Sequence, residues 1–363
     1  MRSRSALTLL VGTAIVWLAP LLGLLAAGRS IERYAVFPPR TEAIAHAPFE
    51  WGAFVALSVP VLAALALYVA AFVRAAPRPP MARVGNFPWW GWVGLALIAA
   101  GWVLAWTEGL VPPGWRRHTF TPLWLGYVLT VNGLLLRRTG RSPLTQRTGW
   151  FLTLFPVSAA SWWLFEHLNQ FVNSWYYSGV HATNDWDYFL QATVPFSTVL
   201  PAVASTLAWL RQFPRLEALA LPPIHGHRTL AWGALAAGTV ALAAIGLWPE
   251  ILYATLWVGP LLVLCGLQQI AVGETLLSPL ARGDWRALLQ PALAALVCGL
   301  FWELWNSGSL AQWHYSIPYA QRFHVFEMPL LGYAGYLPFG VMCALVLDLV
   351  ARIVERRGLY SRD

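Results

Sequence analysis

Apolar runs of about 20 residues alternate along this chain with short polar connectors rich in Pro and Arg. The runs cover 7–27, 51–73, 89–106, 121–136, 149–173, 188–210, 230–248, 251–270, 287–306 and 329–350. A helix of roughly 20 apolar residues matches the hydrocarbon thickness of a bilayer. The pattern therefore predicts an all-α polytopic membrane protein of about ten transmembrane helices. The run at 7–27 reads as a retained signal anchor, because many further spans follow it. The connector at 74–86 is the clearest candidate boundary. It sets a two-helix segment (1–80) apart from two four-helix units at 88–212 and 228–353.

The two four-helix units share a pattern. Phe165-Glu166-His167-Leu168-Asn169 answers Trp302-Glu303-Leu304-Trp305-Asn306. Phe189 and Phe326 follow their glutamates at one spacing, and Leu200-Pro201 and Leu337-Pro338 at another. Trp124-Leu125-Gly126 matches Trp257-Val258-Gly259, and Ser142-Pro143-Leu144 matches Ser278-Pro279-Leu280. Spacing held over so long a stretch points to a tandem repeat. With four helices per unit, both units would share one orientation, related by an axis along the membrane normal.

Composition agrees with the membrane class: 58% of residues are hydrophobic and 11% charged. All 24 basic residues are Arg. Without Lys there can be no Schiff base and no phosphate-loop lysine. The net charge of +8 sits in loops between spans, so nucleic-acid binding is not expected. Eighteen Arg fall on one side of the ten-span arrangement and six on the other. The positive-inside rule then places both termini in the cytoplasm of a bacterial inner membrane. Cys265, Cys298 and Cys343 lie inside apolar runs without C-x-x-C spacing and read as packing residues.

Glu166 and Glu303 are the main candidates for chemistry. A carboxyl at mid-membrane costs about 2.5–3.5 kcal/mol on insertion scales, so one kept there is a functional candidate. Each lies about 16 residues into its span, roughly 24 Å along the helix, in the outward half. Asn169 and Asn306 follow three residues later on the same helix faces and are expected to orient the acids. The functional reading is a pair of acids in a dry pocket that hold and deliver protons. The plainer reading is a pair of hydrogen-bonded carboxyls sealing a joint between the units. Glu327 lies three residues from His324, at the expected start of the last span, and has no acidic counterpart in the first unit. His225-Gly226-His227 has no third ligand near in sequence, and no H-E-x-x-H, G-x-S-x-G or G-x-G-x-x-G motif stands in a suitable setting. Neither a metal nor a cofactor is expected.

The stretch 299–340 resembles the lycopene cyclase domain of carotenoid-forming bacteria, archaea and fungi. The resemblance rests on Trp302-Glu303-Leu304-Trp305, on Trp313-His314-Tyr315, and on the run from Leu331-Gly332-Tyr333 through Gly335-Tyr336-Leu337-Pro338 to Phe339-Gly340. It is good over about 40 residues and loose over another 80. The family's paired acids after Pro-Leu correspond here to Phe339 and Gly340, and in the first unit to Ala202 and Val203. The resemblance thus implies a distant relative with a different isoprenoid-like or lipid substrate. Protonating an alkene needs a neutral carboxylic acid, a dry pocket and aromatic faces to stabilise a carbocation. Glu303 and Glu166 would supply the acid. Trp163, Trp302, Trp305, Trp313, Tyr315, Tyr333 and Tyr336 are the expected substrate-binding aromatics. Two other classes remain open on the sequence. Pro195, Pro201, Gly332, Gly335 and Pro338 break corresponding helices, as in a proton-coupled transporter. A structural or assembly subunit of a membrane complex is the third reading.

Overall fold

The computed structural model of the protein describes residues 2–76 and 85–360. Most of the expected boundary at 74–86 lies outside the described residues. Helices occupy each of the ten stretches that the apolar pattern marks: α1 (Arg2–Ala26), α2 (Trp51–Arg74), α3 (Trp89–Trp106), α4 (Phe120–Thr139) and α5 (Thr148–Val172), then the pair α6 (Asp185–Phe196) and α7 (Val199–Leu210), then α8 (Arg228–Ala244), α9 (Thr255–Val272), α10 (Arg286–Asn306) and α11 (Tyr336–Val354). Among the described residues seven helical segments are long and apolar enough to cross a membrane, counting α6 with α7 and α11 with the 3-10 turn before it. The chain is therefore a membrane protein. The shorter α8 is also apolar.

The sixth apolar stretch is two helices rather than one. Pro195 ends α6, and Pro201 occupies the first turn of α7, where its missing N–H costs nothing. Ser158 of α5 satisfies the backbone freed at the break: its hydroxyl donates to the Phe196 carbonyl at 2.6 Å and accepts from the Leu200 N–H at 3.0 Å. In the later half, Pro338 holds the same first-turn place in α11, after a 3-10 turn over Leu330–Gly335.

Helix α3 packs along α4, and α8 along α9, both through glycines. A Cβ on Gly94 would lie 2.8 Å from the Gly126 carbonyl oxygen, and one on Gly238 would lie 2.9 Å from that of Gly259. Only hydrogen at these positions lets the backbones approach so closely. Helix α4 then meets α7, and α9 meets α11. At the centre α7 and α11 pack on each other, and each of them packs on both α5 and α10. Helix α1 lies against α5, α8, α9 and α11. Helix α2 is almost wholly exposed, with Ala71 its one buried residue.

At one end of the bundle the connectors fold into structure that the helical pattern does not foretell. Strands β1 (Trp175–Ser178) and β2 (Gln312–Tyr315) pair antiparallel, Tyr176 opposite His314. A smaller hairpin follows, β3 (His324–Val325) with β4 (Met328–Pro329). The loop after α1 crosses this end. His46 Nδ1 lies 2.5 Å from the Glu250 carboxylate, and Arg40 reaches Asp185 at 2.8 Å.

Candidate functional site

The site forms where α5 and α10 end and the ribbon begins. Helix α5 stops at Asn173, whose backbone adopts the left-handed conformation (φ 46°). Asn169, one turn earlier, holds the departing chain. Its Oδ1 accepts from the Ser174 N–H at 2.8 Å, and its Nδ2 donates to the Trp175 carbonyl at 2.7 Å. Asn306 does the same after α10. It accepts from the Trp313 N–H at 2.9 Å and donates to the Trp313 carbonyl at 2.7 Å. These asparagines were expected to orient the glutamates. They bind backbone instead, and thereby fix the strand that folds back over each carboxyl.

That strand supplies the carboxyls' partners. Glu166 Oε1 accepts from the Trp162 indole at 3.0 Å, the Trp175 indole at 3.1 Å and the Tyr177 hydroxyl at 2.5 Å. Glu303 Oε1 accepts from the Tyr315 hydroxyl at 2.7 Å and the Tyr336 hydroxyl at 2.9 Å. The Trp313 indole donates to the Tyr315 hydroxyl at 2.8 Å. Trp175-Tyr176-Tyr177 thus stands to Glu166 as Trp313-His314-Tyr315 stands to Glu303. The sequence shows this W-x-Y pair, but one residue more separates Glu303 from its copy than Glu166 from its own. Matching at fixed spacing passes over it.

Both carboxyls are fully buried. Their Oε2 atoms have no hydrogen-bond partner among the described residues. An orphaned buried acceptor costs about 1–3 kcal/mol. Burial, and next the neighbouring glutamate, push the Tyr177 and Tyr315 phenols well above their ordinary range, so both hydroxyls stay protonated and donate.

The partners of both carboxyls border one cavity of about 160 Å³. Trp162, Trp175 and Tyr177 line it from the Glu166 side; Trp313, Tyr315 and Tyr336 line it from the Glu303 side. Trp257, Trp302, Phe120, Phe196 and Phe339 complete an aromatic wall, and Arg117, His118 and Gln191 add polar groups. Trp257 stacks on Trp175 with ring centres 5.6 Å apart, and Trp302 on Tyr336 at 5.9 Å. The glutamates are set one layer behind this wall. The tryptophans and tyrosines that hydrogen-bond them line the cavity.

Of the expected substrate-binding aromatics, Trp302, Trp313, Tyr315 and Tyr336 line the cavity. Three do not. Trp305 is buried against Trp102 and Trp124. Trp163 turns its indole to the Thr193 hydroxyl at 2.9 Å and stacks on Phe189. Tyr333 spends its hydroxyl on the Val325 carbonyl at 3.0 Å. Glu327 is not at a helix start, as the apolar pattern expects, but in the β3–β4 turn. Its partner is His314 rather than His324: Oε2 lies 3.1 Å from His314 Nδ1, and His314 Nε2 lies 2.8 Å from the Ser178 hydroxyl. This chain runs along the ribbon face opposite Trp313 and Tyr315, because strand side chains alternate. It ties both strands to the following turn. Tyr177, Trp175, Trp162 and Ser178 are absent from the sequence-based set.

Gly340 packs so tightly that a Cβ there would overlap the Pro291 carbonyl oxygen. Phe339 beside it lines the cavity. Comparison with protein-family models, with curated proteins and with solved structures returns no match.

Proposed function

We propose that the aromatic cavity is the reaction chamber of a membrane enzyme that moves protons on a hydrophobic, isoprenoid-like or lipid substrate. In this reading the protein is a distant cyclase-like relative of ten crossing helices, built from two copies of one four-helix unit. Both termini face the cytoplasm of a bacterial inner membrane, and the ribbon end faces outward. One observation carries the functional part: two buried carboxyls, each hydrogen-bonded by a tyrosine that lines one largely aromatic cavity.

Tyr315 and Glu303 form one proton-transfer pair, and Tyr177 and Glu166 the other. In the reaction, the hydroxyl of one tyrosine gives its proton to a substrate alkene while its glutamic acid re-protonates the phenolic oxygen. The carbocation that forms lies against the faces of Trp175, Trp257 and Trp302, whose π-systems stabilise positive charge. The second pair removes a proton from a neighbouring carbon, and the tyrosine passes it to its glutamate. One proton enters and one leaves, so the substrate is isomerised or cyclised without a redox change. A neutral acid behind a hydroxyl suits this chemistry, because it supplies a proton without exposing a charge to the apolar chamber.

The test compares lipid extracts from cells carrying the native chain, Glu303→Gln and Tyr315→Phe by mass spectrometry. A species of unchanged mass but altered retention, present only with the native chain, supports the enzyme. Identical extracts, together with proton-dependent uptake lost in Glu303→Gln, would assign the same groups to transport.

A further inference from the structure

The aromatic cavity has one strongly polar part of its wall. Arg117 and His118 line it there, in the connector between the short helix Pro113–Arg116 and α4. Three other arginines at this end of the bundle have side-chain partners, although the Arg116 Nε is itself buried without a hydrogen-bond acceptor among the described residues. Arg40 pairs with Asp185 at 2.8 Å, Arg116 lies 3.6 Å from Glu108, and Arg322 sits over the rings of Phe49, Trp51 and Phe323. Arg117 has no carboxylate within salt-bridge distance among the described residues. Its Nε is buried and has no hydrogen-bond partner among them.

The acid that faces His118 is already engaged. Asp187 lies close enough to interact with it electrostatically. Its carboxylate accepts from the Thr183 N–H at 2.9 Å, the Thr183 hydroxyl at 3.1 Å and the Gln191 amide at 2.8 Å. A guanidinium donor with no acceptor beside an apolar chamber carries a desolvation cost. An anion arriving with the ligand would offset it, and a guanidinium binds carboxylate or phosphate through two parallel hydrogen bonds.

We infer that the cavity takes an amphiphile: an apolar chain against the tryptophans and an anionic head, carboxylate or phosphate, on Arg117 and His118. The inference rests on the cavity being the substrate site and narrows the substrate class, excluding neutral hydrocarbons as the preferred ligand. The head fixes the register of the chain. It therefore decides which carbon lies against the Tyr177 and Tyr315 hydroxyls.

The test is calorimetric titration of the full-length protein in maltoside micelles. The probes are farnesyl phosphate, farnesoate, farnesol and inorganic phosphate. Farnesyl phosphate or farnesoate is expected to bind at least about tenfold more tightly than farnesol, about 1.4 kcal/mol. Arg117→Gln removes that preference, Arg117→Lys keeps most of it, and inorganic phosphate alone binds weakly. Farnesol binding as well as both anions overturns the anionic head while the hydrophobic chamber stands. So does a preference that survives Arg117→Gln combined with His118→Gln. Tight inorganic phosphate binding unaffected by the farnesyl chain overturns the amphiphile. Binding of none of the four overturns both this inference and the chamber it rests on.

Discussion

Trp175 and Tyr315 lie opposite one another across the β1–β2 ribbon, and each is bound to a different buried carboxyl. The Trp175 indole donates to Glu166 at 3.1 Å and the Tyr315 hydroxyl to Glu303 at 2.7 Å. Two short strands thus join the ends of α5 and α10 and hold both acids at fixed positions behind one wall. Pairing of this kind makes the ribbon part of the site rather than a loop above it.

Removing the hydroxyl should separate chemistry from stability. In Tyr315→Phe, Glu303 keeps the Tyr336 hydroxyl at 2.9 Å while the Trp313 indole loses its acceptor, so the fold survives with a loss of about 1–3 kcal/mol, the cost of one donor left unsatisfied. Turnover should fall by about 10²–10⁴, the range for a positioned proton donor. Product formation in lipid extracts and the thermal midpoint of the purified protein, measured together, check this. A variant with full turnover would remove Tyr315 from the proton path.

The asparagines should behave in the opposite way. Asn306→Ala strips the Trp313 N–H and carbonyl of their side-chain partner, and Asn169→Ala does so at Ser174 and Trp175. Leaving such buried groups unsatisfied costs about 1–3 kcal/mol for each group. Each variant should lower the thermal midpoint in detergent more than Tyr315→Phe does, with activity falling because the strand no longer holds its tyrosine. A lowered activity at an unchanged midpoint would instead argue that the asparagine meets the substrate.

Much of this was legible in the chain, for physical reasons that differ from residue to residue. Apolar runs report helices because lipid leaves the backbone no other way to satisfy itself. The cost of Glu166 and Glu303 in such runs singled them out. The asparagine role is not legible in the sequence because helix periodicity tells only which residues share a face. It says nothing about a backbone that turns back seven residues later. The likeness of Tyr177 to Tyr315 is hidden in the sequence because Tyr315 sits one residue further from its glutamate, a shift that a short connector absorbs. Trp163 and Trp305 lie near the acids in sequence, yet both point into helix–helix contacts.

Alkali should expose the buried phenols. Burial first, and the adjacent glutamate second, raise Tyr177 and Tyr315 above the ordinary tyrosine value of about 10. The folded state then holds protons that the unfolded chain releases. Stability from these groups is whole below about pH 10 and declines as pH rises above it, towards their raised folded values. Absorbance of phenolate at high pH should show only part of the 12 tyrosines titrating reversibly, the rest ionising in step with loss of helical signal. Complete reversible titration of all of them in the folded protein would place Tyr177 and Tyr315 in water.

Gly340 should not accept a side chain. Its Cα faces the Pro291 carbonyl so closely that even a methyl group would sit 2.1 Å from that oxygen, with the Ala295 methyl 2.8 Å away. Neither is a flexible side-chain end, so α10 and α11 would have to move apart. Overpacking of this kind typically costs about 1–3 kcal/mol and here displaces the helix that carries Glu303. Gly340→Ala should therefore lower the thermal midpoint and cut turnover together, and Gly340→Glu should fail to accumulate in the membrane. Val203, which follows Pro201 in α7 at the spacing at which Gly340 follows Pro338 in α11, already bears a side chain, so Val203→Ala should be milder than Gly340→Ala by the same two measurements. If Gly340→Glu accumulates normally and shifts the product spectrum, the close approach of α10 and α11 is not what keeps an acid out of this position.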